Sequence, residues 1–152
     1  MKIELWLPIP VTVNKLYHNA AMKGRAKTKT AKCWAREAQY VALPFAQAYR
    51  EIVAANVNTR AQYWRMQPKG YDLQGMHRDH PDLRYAVTYR YYFPSPRATR
   101  PCDVFNFEKQ LSDFLVDIGF MLDDSFIEDG RVIRMPPDPK NPRVEIEIIS
   151  LD

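Results

Sequence analysis

The sequence predicts one α+β domain, a mixed sheet packed by two main helices. Three observations point there. Apolar residues alternate with polar or smaller ones over 3–7, 83–93 and 144–149, as in half-buried strands. Helix formers fill residues 31–56. Apolar residues recur at offsets of three and four over 103–118. The chain has 152 residues, enough for a single domain over 1–152, and its 46% hydrophobic and 26% charged content is ordinary globular usage.

Each element follows in order. Ile3, Leu5 and Leu7 form a first strand that Pro8 and Pro10 end. Residues 11–30 are polar and basic. A helix runs from Ala31 to about Asn56, with Thr28 or Thr30 as its cap and a kink or break at Pro44. Residues 57–81 hold scattered aromatics and arginines between Pro68, Gly70, Gly75 and Pro81, the pattern of a long loop or insertion with some helix. Leu83, Tyr85, Val87, Tyr89, Tyr91 and Phe93 mark the clearest strand. Phe107, Leu111, Phe114, Leu115 and Ile118 give the next helix a buried face, and Gly119 stops it. Val132–Met135 and Val144–Ile149 read as two short strands, joined as a hairpin by the Pro-rich loop 136–142.

Charge is divided along the chain. Residues 1–100 carry 17 Lys/Arg against 6 Asp/Glu; residues 101–152 carry 5 against 12. The basic part suits a polyanion such as DNA. Lys15, Lys23, Arg25, Lys27, Lys29, Lys32 and Arg36 all precede the acid Glu37. Of these, Lys15, Lys23, Arg25, Lys27, Lys29 and Lys32, with Asn14 beside them, are candidate DNA contacts; a solvated basic loop is the plainer alternative. Other classes are disfavoured. No apolar run reaches about 18 residues, so no membrane-spanning helix is expected. No secretory signal is evident at the N-terminus. Cys33 and Cys102 alone build neither a disulfide framework nor a four-ligand zinc site.

The acidic part holds the candidate chemistry. Phosphodiester hydrolysis assisted by Mg²⁺ or Mn²⁺ needs converging carboxylates. Asp103, Asp123 and Asp124 are the candidates. Asp103 falls at a helix start, where an anion is favoured and where it would also serve as an N-cap. Asp123 and Asp124 also suit a plain turn. A helix of about 16 residues spans about 24 Å, so Asp124 meets Asp103 only if the chain doubles back. A second stripe on that helix, Asn106, Lys109, Asp113 and Asp117, can face a ligand while the apolar face meets the sheet. Tyr63, Trp64, Tyr91, Tyr92 and Phe93 could stack on unpaired bases, although core or dimer-interface positions are the simpler assignment. His77 and His80 have ligand-like spacing without a partner motif.

The run Asp103-Val104-Phe105-Asn106-Phe107-Glu108-Lys109, then Asp113, then Asp123-Asp124, resembles the RusA family of Holliday-junction resolvases. The stretch from Pro10 through Asn14 to Tyr17 is similar to the family's opening Pro-x-x-x-Asn-x-x-Tyr. The segments Arg131–Met135 and Val144–Ile148 are similar to its final strands. The resemblance covers most of 1–45 and 82–150 and skips roughly 50–81, which looks like an insertion. It implies a small dimeric endonuclease, cytoplasmic and bacterial or phage-encoded, that binds four-way DNA junctions and cuts them with Mg²⁺ or Mn²⁺ in recombination and repair. It implies further that Asp103 and Asp124 ligate the metal and Asp123 assists. Lys109 would stabilise transition-state charge or position the water. Asn106 and Asp113 would orient these groups. The best-known members carry a second Asp where this chain has Phe105. The alternative is therefore a branched-DNA-binding protein that lost a metal ligand and with it cleavage. A general nuclease for branched DNA and a protein-interaction module are further readings.

Overall fold

The computed structural model describes residues 1–12, 17–20, 24–65, 70–96 and 104–151, with the backbone alone at 17–20, 24, 25 and 65. A four-stranded mixed sheet carries the fold. Its strands are β1 (Lys2–Leu7), β4 (Tyr85–Tyr92), β5 (Ile127–Arg134) and β6 (Arg143–Ser150), in spatial order β1-β6-β4-β5. A separate small hairpin pairs β2 (Tyr17–Ala20) with β3 (Gly24–Lys27), inside the segment expected only to be polar and basic.

Register explains the core. β6 is antiparallel to both β1 and β4, so Leu5, Ile146 and Tyr89 stand in one row. Ile3, Ile148 and Val87 form the next row, and Leu7, Val144 and Tyr91 the third. All nine side chains are buried. The alternation that predicted the strands thus lines one sheet face with apolar groups.

Two helices cover that face. α1 (Lys29–Ala48) buries Ala31, Trp34, Ala38 and Ala42, spaced by three and four. Thr28 caps it, its hydroxyl accepting from the Ala31 N–H at 3.2 Å. α4 (Glu108–Ile118), entered through a 3₁₀ turn at Val104–Phe107, buries Leu111, Phe114, Leu115 and Val116. Trp34 meets Phe114 edge to face, centroids 5.3 Å apart. Buried Gln110 ties three elements: it accepts from the Val11 N–H at 3.0 Å and donates to the Ala31 carbonyl at 3.0 Å. Tyr89 and Ser112 join sheet and α4 through their hydroxyls at 2.8 Å.

Two expectations need correction. The helix does not break at Pro44. α1 runs through it, because Pro44 and Tyr40 are both exposed and the lost backbone bond falls on the wet side. The break comes at Tyr49, whose N–H bonds the Phe45 carbonyl at 2.9 Å. A second helix, α2, then runs Arg50–Arg65, into the stretch expected to be a long loop or an insertion with some helix. A short helix α3 (Leu73–Asp79) follows, capped by the Asp72 carboxylate on the Gly75 N–H at 2.9 Å.

Nor do the last two strands form a hairpin. β5 is parallel to β4 and β6 lies on β4's other side, so β4 separates them. Parallel neighbours need a crossover, which α4 supplies between β4 and β5. The Pro-rich linker then passes the end of β4, with the Met135 N–H on the Tyr91 carbonyl (2.9 Å) and the Asp138 N–H on the Phe93 carbonyl (2.8 Å). Among the described residues no helix is long and apolar enough to cross a membrane.

Candidate active site

α4 ends where the site begins. Gly119 takes a left-handed φ of 97° and caps the helix, its N–H on the Leu115 and Val116 carbonyls. The chain then reverses through buried Phe120, Met121 and Leu122 into Asp123 and Asp124. The Leu122 N–H donates to the buried Tyr85 hydroxyl at 3.3 Å, which fixes the turn to the sheet. Buried Asp123 caps the 3₁₀ turn Asp124–Phe126, its Oδ1 accepting from the Ser125 N–H at 3.0 Å. This reversal brings Asp124 back beside Lys109 on the first turn of α4.

The polar stripe of α4 faces the returning turn. Lys109 stands between two carboxylates, 2.8 Å from Asp113 and 3.5 Å from Asp124. The hydrogen bond that Lys109 donates to Asp113 and the charges of Asp113 and Asp124 raise the Lys109 pKa above its ordinary value, against partial desolvation. Asp113, Asp117, Asp123 and Asp124 line one cavity of about 690 Å³. Its other walls are Lys27 from β3, Val116, and Arg60 and Trp64 from α2. The geometry therefore joins Lys109, Asp113, Asp123 and Asp124, all expected from sequence. Asn106 sits on the 3₁₀ turn before α4 and is part-buried.

Asp103 lies outside the described residues, as do Asn14, Lys15 and Lys23; at Arg25 only the backbone is described. Of the expected DNA contacts, Lys27 lines the cavity, and Lys29 and Lys32 are exposed on the first turn of α1. Phe105 is 63% exposed, so it does not belong to the core. Among the aromatic candidates, Tyr63, Tyr91 and Phe93 are buried, while Trp64 is exposed.

Segment 50–81 holds residues that sequence reasoning missed. Asn56 donates to the Gly119 carbonyl at 2.9 Å. Arg60 donates to the Val116 carbonyl at 3.3 Å and pairs with Asp117 at 3.2 Å. Asn56 thereby satisfies the carbonyl of the capping Gly119, and Arg60 adds a second donor to the Val116 carbonyl, which already accepts from the Gly119 N–H. Tyr71 lies under the Arg60 guanidinium, 5.7 Å from its ring centre. Burial, then the Asp123 charge, pushes the Tyr71 hydroxyl pKa up. From α3, His77 Nε2 meets Ser125 Oγ at 2.8 Å and its ring packs on Phe126 at 4.2 Å. The signal was available: Asn56, Arg60 and Trp64 recur every four residues, one helical stripe.

The donor chemistry suits a hard cation, since the acidic wall offers only carboxylate oxygens. The described residues do not complete a metal site, for no three His, Cys, Asp or Glu among them are grouped to hold an ion. Asp123 and Asp124 supply two adjacent acids. Residue 103 immediately precedes the described turn that leads into α4.

Comparison with known proteins gives the family. No curated protein matches the chain. A family model described as endodeoxyribonuclease RusA matches residues 8–149, which hold β4, β5, nearly all of β6, all four helices and the acidic turn, while β1 precedes the match. The chain belongs to the RusA endodeoxyribonuclease family.

Proposed function

We propose that this chain resolves four-way DNA junctions by divalent-metal-dependent phosphodiester hydrolysis, in recombination and repair. The observation that carries the reading is the cavity that Asp113, Asp123 and Asp124 line, with Lys109 bridging Asp113 and Asp124, in a chain of an endodeoxyribonuclease family. Asp123 and Asp124, completed by Asp103, would hold Mg²⁺ or Mn²⁺. Bound there, the ion would polarise the scissile phosphate and lower the pKa of the attacking water.

The chain's own residues have distinct tasks. Lys109 keeps its proton through the neutral range, so it brings positive charge to the developing phosphorane oxygens. Asp113 holds the Lys109 ammonium in place at 2.8 Å. Ser125 N–H fixes the Asp123 carboxylate. Asn106, on the turn before α4, would help orient these groups. Lys27, Lys29 and Lys32, with Asn14, Lys15, Lys23 and Arg25, would hold phosphates of the junction arms. A two-fold homodimer would supply one acidic site for each of the two equivalent strands. A soluble enzyme working in the cytoplasm of a bacterium or on phage DNA fits this assignment.

The test is cleavage of a labelled four-way junction and a matched linear duplex with Mg²⁺, Mn²⁺ or EDTA. Paired nicks are expected on the junction only, with metal only. Asp124→Asn is expected to lower the rate about 100-fold or more, the scale on which a lost electrostatic stabiliser acts. Nicking by Asp124→Asn at the unaltered rate would remove Asp124 from the site.

Exposure of Phe105 gives the second reading its footing. Phe105 is 63% exposed on the turn leading into α4, where the resemblance to the family leads one to expect a second Asp. In that reading the chain binds branched DNA without cutting it. Phe105→Asp decides between them: its stability is expected within about 0.5 kcal/mol of the parent. Cleavage that appears only in Phe105→Asp marks a binding protein that lost its metal; cleavage by both marks a resolvase that tolerates Phe105.

A further inference from the structure

The cavity beside the acids has two unlike walls. One, from α4 and the turn after it, is carboxylate. The other holds Lys27, Arg60 and Trp64. Phosphates need the acidic wall screened by a cation, but a base needs none; it needs a flat apolar face.

Trp64 offers that face. It is 54% exposed, although an indole gains by burial, and it lies at the cavity instead of under α2. Single exposed apolar residues are common, so exposure alone means little. Here the ring is also held in place. Tyr71 packs against it at 5.3 Å with planes 37° apart. Tyr71 is itself anchored, its hydroxyl donating to Met76 Sδ at 3.3 Å, and Met76 is fully buried. One turn back, Arg60 is fixed by Asp117 and the Val116 carbonyl. An aromatic plane fixed before binding loses little freedom when a base stacks on it.

We propose that Trp64, held by Tyr71, stacks on an unpaired base at the branch point and so positions the adjoining phosphate over the acidic wall. The proposal rests on the junction-resolving reading and adds a specificity device to it. Paired duplex keeps its bases stacked on each other, whereas a branch point has bases free to leave the stack. Trp64 would therefore favour branched DNA over linear DNA, while the lysines hold both alike.

The test uses the full chain with a four-way junction carrying 2-aminopurine at the exchange point, and a linear duplex of the same sequence. Calcium replaces magnesium to prevent cleavage. For the unaltered protein, quenching of the 2-aminopurine signal is expected on binding. Trp64→Ala is expected to bind the junction about tenfold more weakly or worse and to lose the quench, with duplex binding unchanged. Trp64→Phe keeps a smaller ring and is expected to keep part of both. The slope of affinity against salt should stay constant in Trp64→Ala, since no phosphate contact is removed. Trp6→Ala, which removes a comparably exposed indole lining a different cavity, controls for loss of any surface aromatic and is expected to change nothing. Junction binding and quenching by Trp64→Ala equal to the parent's would overturn the proposal and leave the resolvase reading intact. An equal loss on duplex and junction, or a changed salt slope, would overturn it in favour of a phosphate contact. Failure of the unaltered protein to bind the junction would overturn the resolvase reading and this proposal with it.

Discussion

Residues 85–150 bury their apolar side chains in continuous rows, with Tyr85, Val87, Tyr89 and Tyr91 facing one way along β4 and Val144, Ile146 and Ile148 matching them on β6. Residues 50–79 have no such face. In α2 only Tyr63 is buried among the apolar residues, and its hydroxyl donates to Asp79 at 3.0 Å. Met76 enters the core and Ile52, Val53 and Tyr71 pack on it without forming rows, and polar bonds tie the segment to the ends of other elements: Asn56 and Arg60 at the end of α4, and His77 on Ser125. The first region stands by area removed from water. The second stands by geometry, and it grips both ends of the peptide that carries Asp123 and Asp124. Loss of the first region should unfold the chain, and loss of the second should loosen the site.

Leu111→Ala tests the first half of that contrast with the largest expected effect. Leu111 is fully buried between α4 and the sheet. Its truncation should cost about 2–5 kcal/mol by transfer and cavity terms together. Denaturant unfolding followed by far-UV circular dichroism and by tryptophan fluorescence should shift as one transition. Separate transitions would mean that α4 and the sheet do not form one cooperative core.

Gly119→Ala tests the second half and should cost about 2–4 kcal/mol. A side chain at φ 97° is strained by about 1–2 kcal/mol. An added Cβ would also come within 2.7 Å of Val57 Cγ2 and 2.9 Å of the Val53 carbonyl, which forces α2 away. Protease sensitivity of residues 50–65 should rise more than global unfolding predicts. An unchanged digestion pattern, with the cost confined to about 1–2 kcal/mol, would mean that α2 does not depend on Gly119 for its seat.

The same contrast explains what could be read from the sequence. Strands β1, β4 and β6 show because each hides every second residue, and α4 shows because Leu111, Phe114 and Leu115 keep helical spacing. Lys109 and Asp113 show because they follow the spacing of that same helix, while Asp123 and Asp124 stand out from an ordinary turn only through the resemblance to the RusA family. β5 was legible only from Val132 onward: it is an edge strand that starts at Ile127, and Glu128, Asp129 and Arg131 give no apolar alternation. The false hairpin arose because strand pairing is non-local, and nothing in residues 136–142 tells that β4 lies between. The extent of α2 beyond Asn56 was not legible, because Tyr63 is its one buried apolar residue there among the described side chains and Arg60 anchors it by polar bonds. Arg60 and Tyr71 went unassigned with it, and Trp64 was named only as one of five aromatics that could stack on bases.

The smallest effect probes the bond that joins the two regions' work, the Lys109 bridge between α4 and the acidic turn. Both ends are partly exposed, so Lys109→Met should cost only a few tenths of a kcal/mol near neutrality, as for other solvated pairs. The sign of its pH dependence is fixed by the raised lysine pKa. A group whose pKa rises on folding contributes fully below its unfolded value, about 10.4, and loses that contribution as pH climbs through the folded value. The parent and Lys109→Met should therefore differ by a small constant amount from neutrality up to about pH 10 and converge above it. Urea midpoints measured at several pH values check this. A gap that persists at the most alkaline pH would assign the effect to the packing of the lysine stem on α4, and Lys109 would then be no electrostatic partner of Asp124 at all.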